Sequence, residues 1–324
     1  MNRRDTLLVL LAAGAAPLAA YAQQPGKLWR IGFLAADSSS TRVYEGFRQG
    51  MRELGHAEGA TFSIQWRFAD GNYERLPGLA AELVRSDVQV IVAGTTLCVQ
   101  AARQASATLP IVMVGVPDPV GEGFVASLSR PGRNITGLSN IVTELSAKHL
   151  ELLRNAVPKL VHIAVLINPL NPSDALILEQ IAGAAYASKV KISAVEASTA
   201  KQIDLGFEAM KQARAQALIV AADPYFNMQR EQIARLAVKN RLPAIFSNRE
   251  QTEAGGLMSY GQDLAEHYRR AATYVERILK GAKAGDLPVE QPTQLELVIN
   301  RKTANALGLA VTRELEMRAD KVLE

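Results

Sequence analysis

An α/β architecture of two Rossmann-like (flavodoxin-like) lobes, with parallel sheets joined by hinge crossovers, is predicted by three features of this 324-residue chain. Short β-rich apolar runs alternate with longer segments of helical period, which is the pattern of βα units. The alternation occurs in two successive series, so each series reads as one lobe. The length suits two domains of about 150 residues each. A composition of 48% apolar, 21% charged and 6% aromatic residues argues against a disordered chain.

In the first series 29–35 is a strand, and 41–54 is a helix with Val43, Phe47, Met51 and Leu54 on one face. A strand over 61–68, a helix over 73–85, a buried strand over 88–93, a helix over 96–105 and a strand over 111–114 follow. The second series opens on a helix over 144–155 that Pro158 stops. Strands over 161–167, 191–195, 217–221 and 244–246 then alternate with helices over 173–187, 200–214 and 227–240. The remainder, a strand over 256–259, a helix over 263–280 closed by Gly281, a strand over 295–300 and a helix over 302–307, is too little for a third domain. The chain is therefore expected to recross between the lobes, first near 137–141. One lobe takes 28–140 plus 258–292, the other 141–257 plus 293–324. Several adjacent crossovers permit bending of one lobe against the other.

The first residues read as an export address. Arg3 and Arg4 form a positive region, Leu7 to Ala16 an apolar core, and Ala20-Tyr21-Ala22 a cleavage site, predicting a signal peptide over 1–22. The apolar run is too short for a membrane span. Asn2-Arg-Arg-Asp-Thr-Leu-Leu8 fits a twin-arginine signal loosely, and the general export route fits equally. Cleavage removes two positive charges and one negative, taking the formal charge from +4 to +3. With no Lys/Arg run, that excess argues against nucleic acid or a membrane surface as partner. Cys98 is the sole cysteine, so no intramolecular disulfide forms, and the cleavage site lacks a cysteine to carry lipid. The expected form is a periplasmic monomer with no stable membrane insertion.

No catalytic signature is present: there is no G-x-S-x-G elbow, no phosphate loop, and no G-x-G-x-x-G opening a helix after a strand. His56, His149, His162 and His267 lack metal-ligand spacing. The expectation is a protein with no enzymatic activity, no metal and no cofactor. What remains is a set of polar residues at strand carboxyl ends, where open α/β sheets bind ligands. Asp37-Ser-Ser-Ser40, Gly94-Thr-Thr96 and Pro117-Asp-Pro119 occupy such ends in the first series. Asn168-Pro-Leu-Asn171, Asp223-Pro-Tyr225 and Ser247-Asn-Arg-Glu250 do so in the second. If the lobes face each other, these loops converge on one cleft. The expected ligand-binding residues are Ser38, Ser39, Thr95, Thr96, Asp118, Asn168, Asn171, Asp223, Tyr225 and Asn248.

A Thr that opens a helix leaves free backbone N–H groups and the positive end of a dipole, which favours a carboxylate by roughly 0.3–1 kcal/mol. Thr95 and Thr96 fit that role, while Asp118 and Asp223 fit an ammonium group through charge-assisted hydrogen bonds. Together they describe a site for an amino-acid-like zwitterion. Each member also has a local reading. Ser38, Ser39, Thr95 and Thr96 cap helices in any α/β protein. Asp118 and Asp223 precede prolines and open turns, Asn168 and Asn171 favour turns, and Tyr225, Phe226 and Tyr44 pack in a core as readily as they line a pocket.

Three stretches carry a more specific signal. They are Gly115-Val-Pro-Asp-Pro-Val-Gly-Glu-Gly-Phe124 with Pro131-Gly-Arg-Asn-Ile-Thr-Gly137, Glu253-Ala-Gly-Gly-Leu-Met-Ser-Tyr-Gly261, and Ile299-Asn-Arg-Lys-Thr-Ala-Asn-Ala-Leu-Gly308. With them the mature chain resembles the solute-binding proteins of ABC transporters, in the branch with a type I periplasmic-binding fold that includes tryptophan and aromatic-amino-acid binders. The resemblance implies two lobes that close over a small molecule and deliver it to an ABC transporter permease driven by a separate ATPase. By position it implies that the loops at Ser38, Thr95, Asp118, Asn168, Asp223 and Asn248 meet the ligand. One departure bears on the cargo: Asp223-Pro-Tyr225 stands where that branch carries a Thr-Asp-Asn type of loop. A sensory module presenting its closed form to a chemoreceptor or histidine kinase is one alternative. An exported nucleotide-dependent oxidoreductase is another, opposed by the missing glycine fingerprint.

Overall fold

The computed structural model describes residues 28–38, 41–291 and 294–324. The expected signal peptide over 1–22 and Ser39 lie outside these residues. The first lobe begins with β1 (Trp29–Ala35), α1 (Thr41–Glu53) and β2 (Phe62–Phe68), and a 3-10 turn over Tyr73–Arg75 leads into α2 (Leu76–Arg85). β3 (Val90–Ala93), α3 (Thr96–Ala105), β4 (Ile111–Val116) and β5 (Ile135–Ser139) follow. The sheet order is β2-β1-β3-β4-β5, with every pairing parallel. Both faces are covered, which is why β3 and β4 read as continuous apolar runs. Leu34, Ile91, Ala93, Ile111 and Met113 pack on one side with Leu83 of α2 and Val99 of α3. Ile31, Phe33, Val90, Val92, Val112 and Val114 point to the other side, towards Phe47 and Met51 of α1.

Residues 137–139, in the stretch 137–141 expected as the first crossover, instead complete the fifth strand. Gly137 makes this possible: its φ is 127°, and a Cβ there would lie 2.2 Å from the Met113 carbonyl oxygen. Only glycine admits so close an approach of the two strands.

The second lobe runs α4 (Val142–Ala156), β6 (His162–Ile167), α5 (Pro172–Ala187), β7 (Lys191–Glu196), α6 (Ala200–Gln212), β8 (Ala217–Val220), α7 (Pro224–Met228), α8 (Arg230–Lys239), β9 (Ala244–Phe246), α9 (Arg249–Glu253) and β10 (Met258–Gly261). The chain then returns to the first lobe as α10 (Leu264–Leu279) and a 3-10 turn at Ala284–Asp286. It ends in the second lobe with β11 (Glu296–Asn300), α11 (Arg301–Leu307), α12 (Arg313–Met317) and β12 (Lys321–Leu323). The second sheet is ordered β12-β11-β10-β9-β8-β6-β7 and is parallel except where β11 runs antiparallel to β10. Two expected boundaries move. Residues 258–261 pair with β9, so they belong to the second lobe and not to the first. The helix expected over 227–240 is two helices broken at Gln229, whose backbone leaves the helical region (φ −92°, ψ 16°).

α10 seals the outer face of the first sheet by lying against α1. Gly46 and Gly50, one turn apart, form the contact: a Cβ at Gly46 would sit 2.1 Å from the Ala265 carbonyl oxygen, and one at Gly50 2.3 Å from that of Arg269. The interlobe passages run side by side. Leu138 forms an isolated parallel bridge with Glu290, Ser139 N donates to Glu290 O at 2.9 Å, and Glu290 N donates to Gly137 O at 3.0 Å. Adjacent crossovers of this kind are what a hinge requires.

Candidate functional site

The carboxyl ends of β1, β3 and β4 face those of β8 and β9 across a cavity of about 110 Å³. Asp37, Thr95, Gly115 and Asn140 line it from the first lobe, Asp223, Asn227, Ser247 and Asn248 from the second, and Gln262 from the crossover. A smaller hollow of about 50 Å³ continues between Thr96 and Leu97 on one side and Asn171 and Ser173 on the other.

One wall is aromatic and acidic. Tyr44, on the inner face of α1, donates its hydroxyl to Asp37 Oδ1. Burial pushes the Asp37 carboxyl up to about 6 in spite of that hydrogen bond. Burial, and then the Asp37 charge, holds the Tyr44 hydroxyl well above its ordinary value, so it remains a donor. The Tyr44 ring meets Tyr268 edge-on at 5.4 Å. Tyr268 reaches the cavity over Gly94, where a Cβ would lie 2.4 Å from its hydroxyl oxygen. Val43, Val114 and Leu264 complete an apolar side.

The polar side is rich in acceptors. Asn227 Oδ1 and Gln262 Oε1 are buried and meet no hydrogen-bonding partner within the described residues. A buried acceptor left unpaired costs about 1–3 kcal/mol, so both fit a solute that brings donors. The opposite pole is the N-terminus of α3, where Thr95 Oγ1 accepts from Cys98 N at 3.2 Å. No Lys or Arg lines the cavity among the described residues.

Asp223 follows β8 as the N-cap of α7 and is saturated by protein donors. Its Oδ1 accepts from Asn168 Nδ2 at 3.2 Å, Tyr225 N at 2.9 Å and Phe226 N at 3.3 Å. Its Oδ2 accepts from Tyr73 Oη at 2.9 Å and Asn171 Nδ2 at 3.0 Å. Neighbouring Asp174 has fewer donors, Asn168 N at 2.7 Å and Asn171 Nδ2 at 3.0 Å. Burial raises both carboxyls; the Asp223 charge adds to this at Asp174, which reaches about 8, while the hydrogen bonds pull Asp223 back. Five donors on Asp223 against two on Asp174 favour Asp223 as the anion of the pair. Tyr73 belongs to the first lobe, so its bond to Asp223 crosses the cleft. Thr96 Oγ1 and Ser173 Oγ, 3.1 Å apart, make a second crossing, and Arg42 Nη1 to Glu250 Oε1, at 2.5 Å, a third.

The residues singled out from sequence divide accordingly. Thr95, Asp223 and Asn248 line the main cavity, Thr96 and Asn171 the smaller hollow. Thr95, Asn171 and Asn248 are helix N-caps as well, so a residue can cap a helix and border the cavity at once. Asn168 is buried and holds Asp223 in place without reaching the cavity. Ser38 is half-buried beside Asp37 and outside the lining. Tyr225 turns its ring towards Gly71 of the first lobe, where a Cβ would lie 2.9 Å from Cδ2, so it closes the rim. Asp118 is a correction: it is exposed, its Oδ1 accepts from Gly121 N at 2.8 Å, and it borders a shallow hollow with Val120 and Leu176. The ammonium position assigned to Asp118 and Asp223 is corrected with it, since one is spent on its own turn and the other has no lone pair unclaimed.

Asp37, Asn227, Gln262 and Tyr268 line the cavity without having been singled out from sequence, and Tyr44, read there as lining a pocket or packing in a core, lines it too. Asp37 opens the Asp-Ser-Ser-Ser loop and carried the same strand-end signal as Ser38. Tyr44, Asn227 and Tyr268 sit on helices, where their period marks a buried face and not what it faces.

A family model for ABC transporter substrate binding proteins matches residues 31–323. A tyrosine-binding protein of Clostridioides difficile (strain R20291) is 27% identical over 281 residues, covering 86% of this chain and 80% of that protein. The structure of a conserved domain protein from Vibrio cholerae matches 91% of this chain and 100% of that one, with a TM-score of 0.86 at 25% identity. A Streptococcus pneumoniae domain in complex with L-Trp matches over the same shares, with a TM-score of 0.85 at 23% identity. The chain belongs to the family of ABC transporter substrate binding proteins and has the two-lobed α/β fold of periplasmic solute-binding proteins.

Proposed function

We propose that this chain is the periplasmic solute-binding component of an ABC importer, and that it captures an amino-acid-like solute with an apolar or aromatic side chain between its lobes. The observation that carries the reading is a cavity walled by both lobes, with those lobes joined directly by Tyr73–Asp223 and Thr96–Ser173. A solute in contact with both walls favours the closed state, because only that state offers it both sets of contacts. The ammonium group sits among Asp37, Asn227 and Gln262, the carboxylate at the N-terminus of α3 beside Thr95 and Thr96, and the side chain against Tyr44, Tyr268 and Leu264. Asn171 and Asn248 bound the site on the second lobe. That one relative binds tyrosine and another structure holds L-Trp supports the amino-acid class. The protein itself carries out capture and delivery to a permease, not catalysis. Among the described residues no helix is long and apolar enough to cross a membrane.

The test is calorimetry and thermal unfolding with L-tyrosine, L-tryptophan, L-phenylalanine and the corresponding acids lacking the ammonium group. A solute at 100 times its Kd adds about 2.7 kcal/mol to stability. Binding of an amino acid with loss of affinity for its deaminated counterpart is expected. No response to any amino acid, or equal response to the deaminated acids, overturns the assignment of solute class.

A further inference from the structure

The lobes are fastened at a point outside the cavity. Arg42 stands at the start of α1 in the first lobe. Its Nη1 lies 2.5 Å from Glu250 Oε1 on α9 of the second lobe, and its Nη2 lies 2.8 Å from Asp263 Oδ2 at the crossover. The Glu250 side chain is only 12% exposed, so the pair is partly shielded from water and salt. Asp263 uses its other oxygen, Oδ1, to cap α10 through Ala265 N at 2.8 Å and Glu266 N at 3.2 Å. That leaves Oδ2 to Arg42. The nearby cation Arg249 is taken by Glu253 and Glu296 and does not compete for Glu250.

The two arms of this fork differ. Asp263 caps a helix that packs on α1, so Arg42 and Asp263 stay together when the cleft opens. Glu250 moves away with the second lobe. Arg42 is thus held in its binding geometry before closure, and little side-chain freedom is lost when Glu250 arrives. None of the three residues lines the cavity, yet each adjoins residues that do. Arg42 precedes Val43 and Tyr44, Asp263 lies between Gln262 and Leu264, and Glu250 follows closely on Asn248.

We propose that Arg42 is a positioning residue for solute capture: its guanidinium, held by Asp263, clasps Glu250 of the opposite lobe and so sets the population of the closed state. The inference rests on the binding reading above for its consequence in affinity, and on the fold alone for its consequence in shape. Loss of the clasp lowers solute affinity by about 5- to 50-fold, within the ordinary range of coupling between a distant contact and a site. The loss falls on release and not on capture, since the clasp is made in the closed state and must break before the solute can leave.

The experiment compares wild type, Arg42→Ala, Glu250→Gln and the double variant. L-tyrosine binding and release are followed by stopped-flow fluorescence, and the ligand-free proteins by small-angle scattering and thermal unfolding. Arg42→Ala is expected to show a larger radius of gyration without ligand, faster tyrosine release, an unchanged association rate and an unchanged melting temperature. The double variant is expected to be no worse than Arg42→Ala, because both remove one interaction. Additive losses in the double variant, or a radius of gyration equal to wild type, overturn the proposal. If tyrosine does not bind the wild type, the solute assignment fails separately, and the scattering comparison still decides whether Arg42 clasps the lobes.

Discussion

Removing a single oxygen atom, by Tyr73→Phe, tests what the cleft-crossing hydrogen bonds of Tyr73 contribute to solute capture: its hydroxyl donates to Asp223 and accepts a longer bond from Tyr225 N at 3.3 Å. The Tyr73 hydroxyl donates to Asp223 Oδ2 at 2.9 Å, in a buried setting and onto the carboxylate that five donors favour as the anion of its pair. The ring itself is part of the first lobe's core, in a cluster with Leu76 and Leu79, and phenylalanine preserves that packing. A hydrogen bond to a charged group contributes about 1.5–3 kcal/mol. Because Tyr73 and Asp223 lie on different lobes, this quantity enters the closing equilibrium and leaves the folding of each lobe nearly untouched. Since 1.4 kcal/mol is tenfold, solute affinity should fall by roughly 10- to 100-fold. Calorimetric titration of both proteins with L-tyrosine measures the change, and ligand-free thermal unfolding controls for folding. Affinity within twofold of wild type would refute the claim that the Tyr73–Asp223 bond stabilises the solute-bound, closed form.

Other consequences concern charge and packing. Asp37 holds its proton up to about 6 when folded, against 3.8 for an ordinary aspartate. The folded state therefore binds more protons between these values, and the ligand-free protein loses stability as pH rises through that window. An ammonium on Asp37 favours the charged form, so solute affinity should fall as pH drops below about 6 and binding should release a proton. Titration in buffers of different ionisation enthalpy detects that proton, and Asp37→Asn should abolish it; persistence in the variant sinks the role given to Asp37. Gly46→Ala drives a methyl group to 2.1 Å from the Ala265 carbonyl oxygen with backbone on both sides, which should destabilise by about 1–3 kcal/mol in urea unfolding. A wild-type midpoint would mean that α1 and α10 separate freely. Asp118→Ala should leave solute affinity within twofold of wild type, and a larger loss in the titration would return that carboxylate to the site.

Most elements were legible because strands and helices differ in apolar period, and Gly and Pro punctuate them. β3, with Val90, Ile91 and Val92 in a row, declares a buried strand by itself. The failures have local causes. β5 is five residues with a glycine in the middle, too short and too interrupted to assert a strand against a turn-rich background. The break at Gln229 is invisible because apolar residues continue at helical spacing on both sides. α9, α12 and β12 are each five residues or fewer and show less than two periods.

The site was legible as an address and not as an arrangement. That polar loops follow β1, β3, β8 and β9 is a matter of neighbouring residues, and the direction of parallel strands sends such loops to one edge of each sheet. Local sequence settled this because backbone preference and side-chain period act over a handful of positions. It could not rank the carboxylates at those edges. Asp118 and Asp223 share the same Asp-Pro signature, yet one caps an exposed turn and the other is buried under donors that include Tyr73, 150 positions away. Asp37, without that signature, faces the cavity beneath Tyr44 with its carboxyl raised by burial. Burial and long-range donors decide which acid is spent on structure and which remains for a solute, and both exist only once the two sheets have been brought face to face.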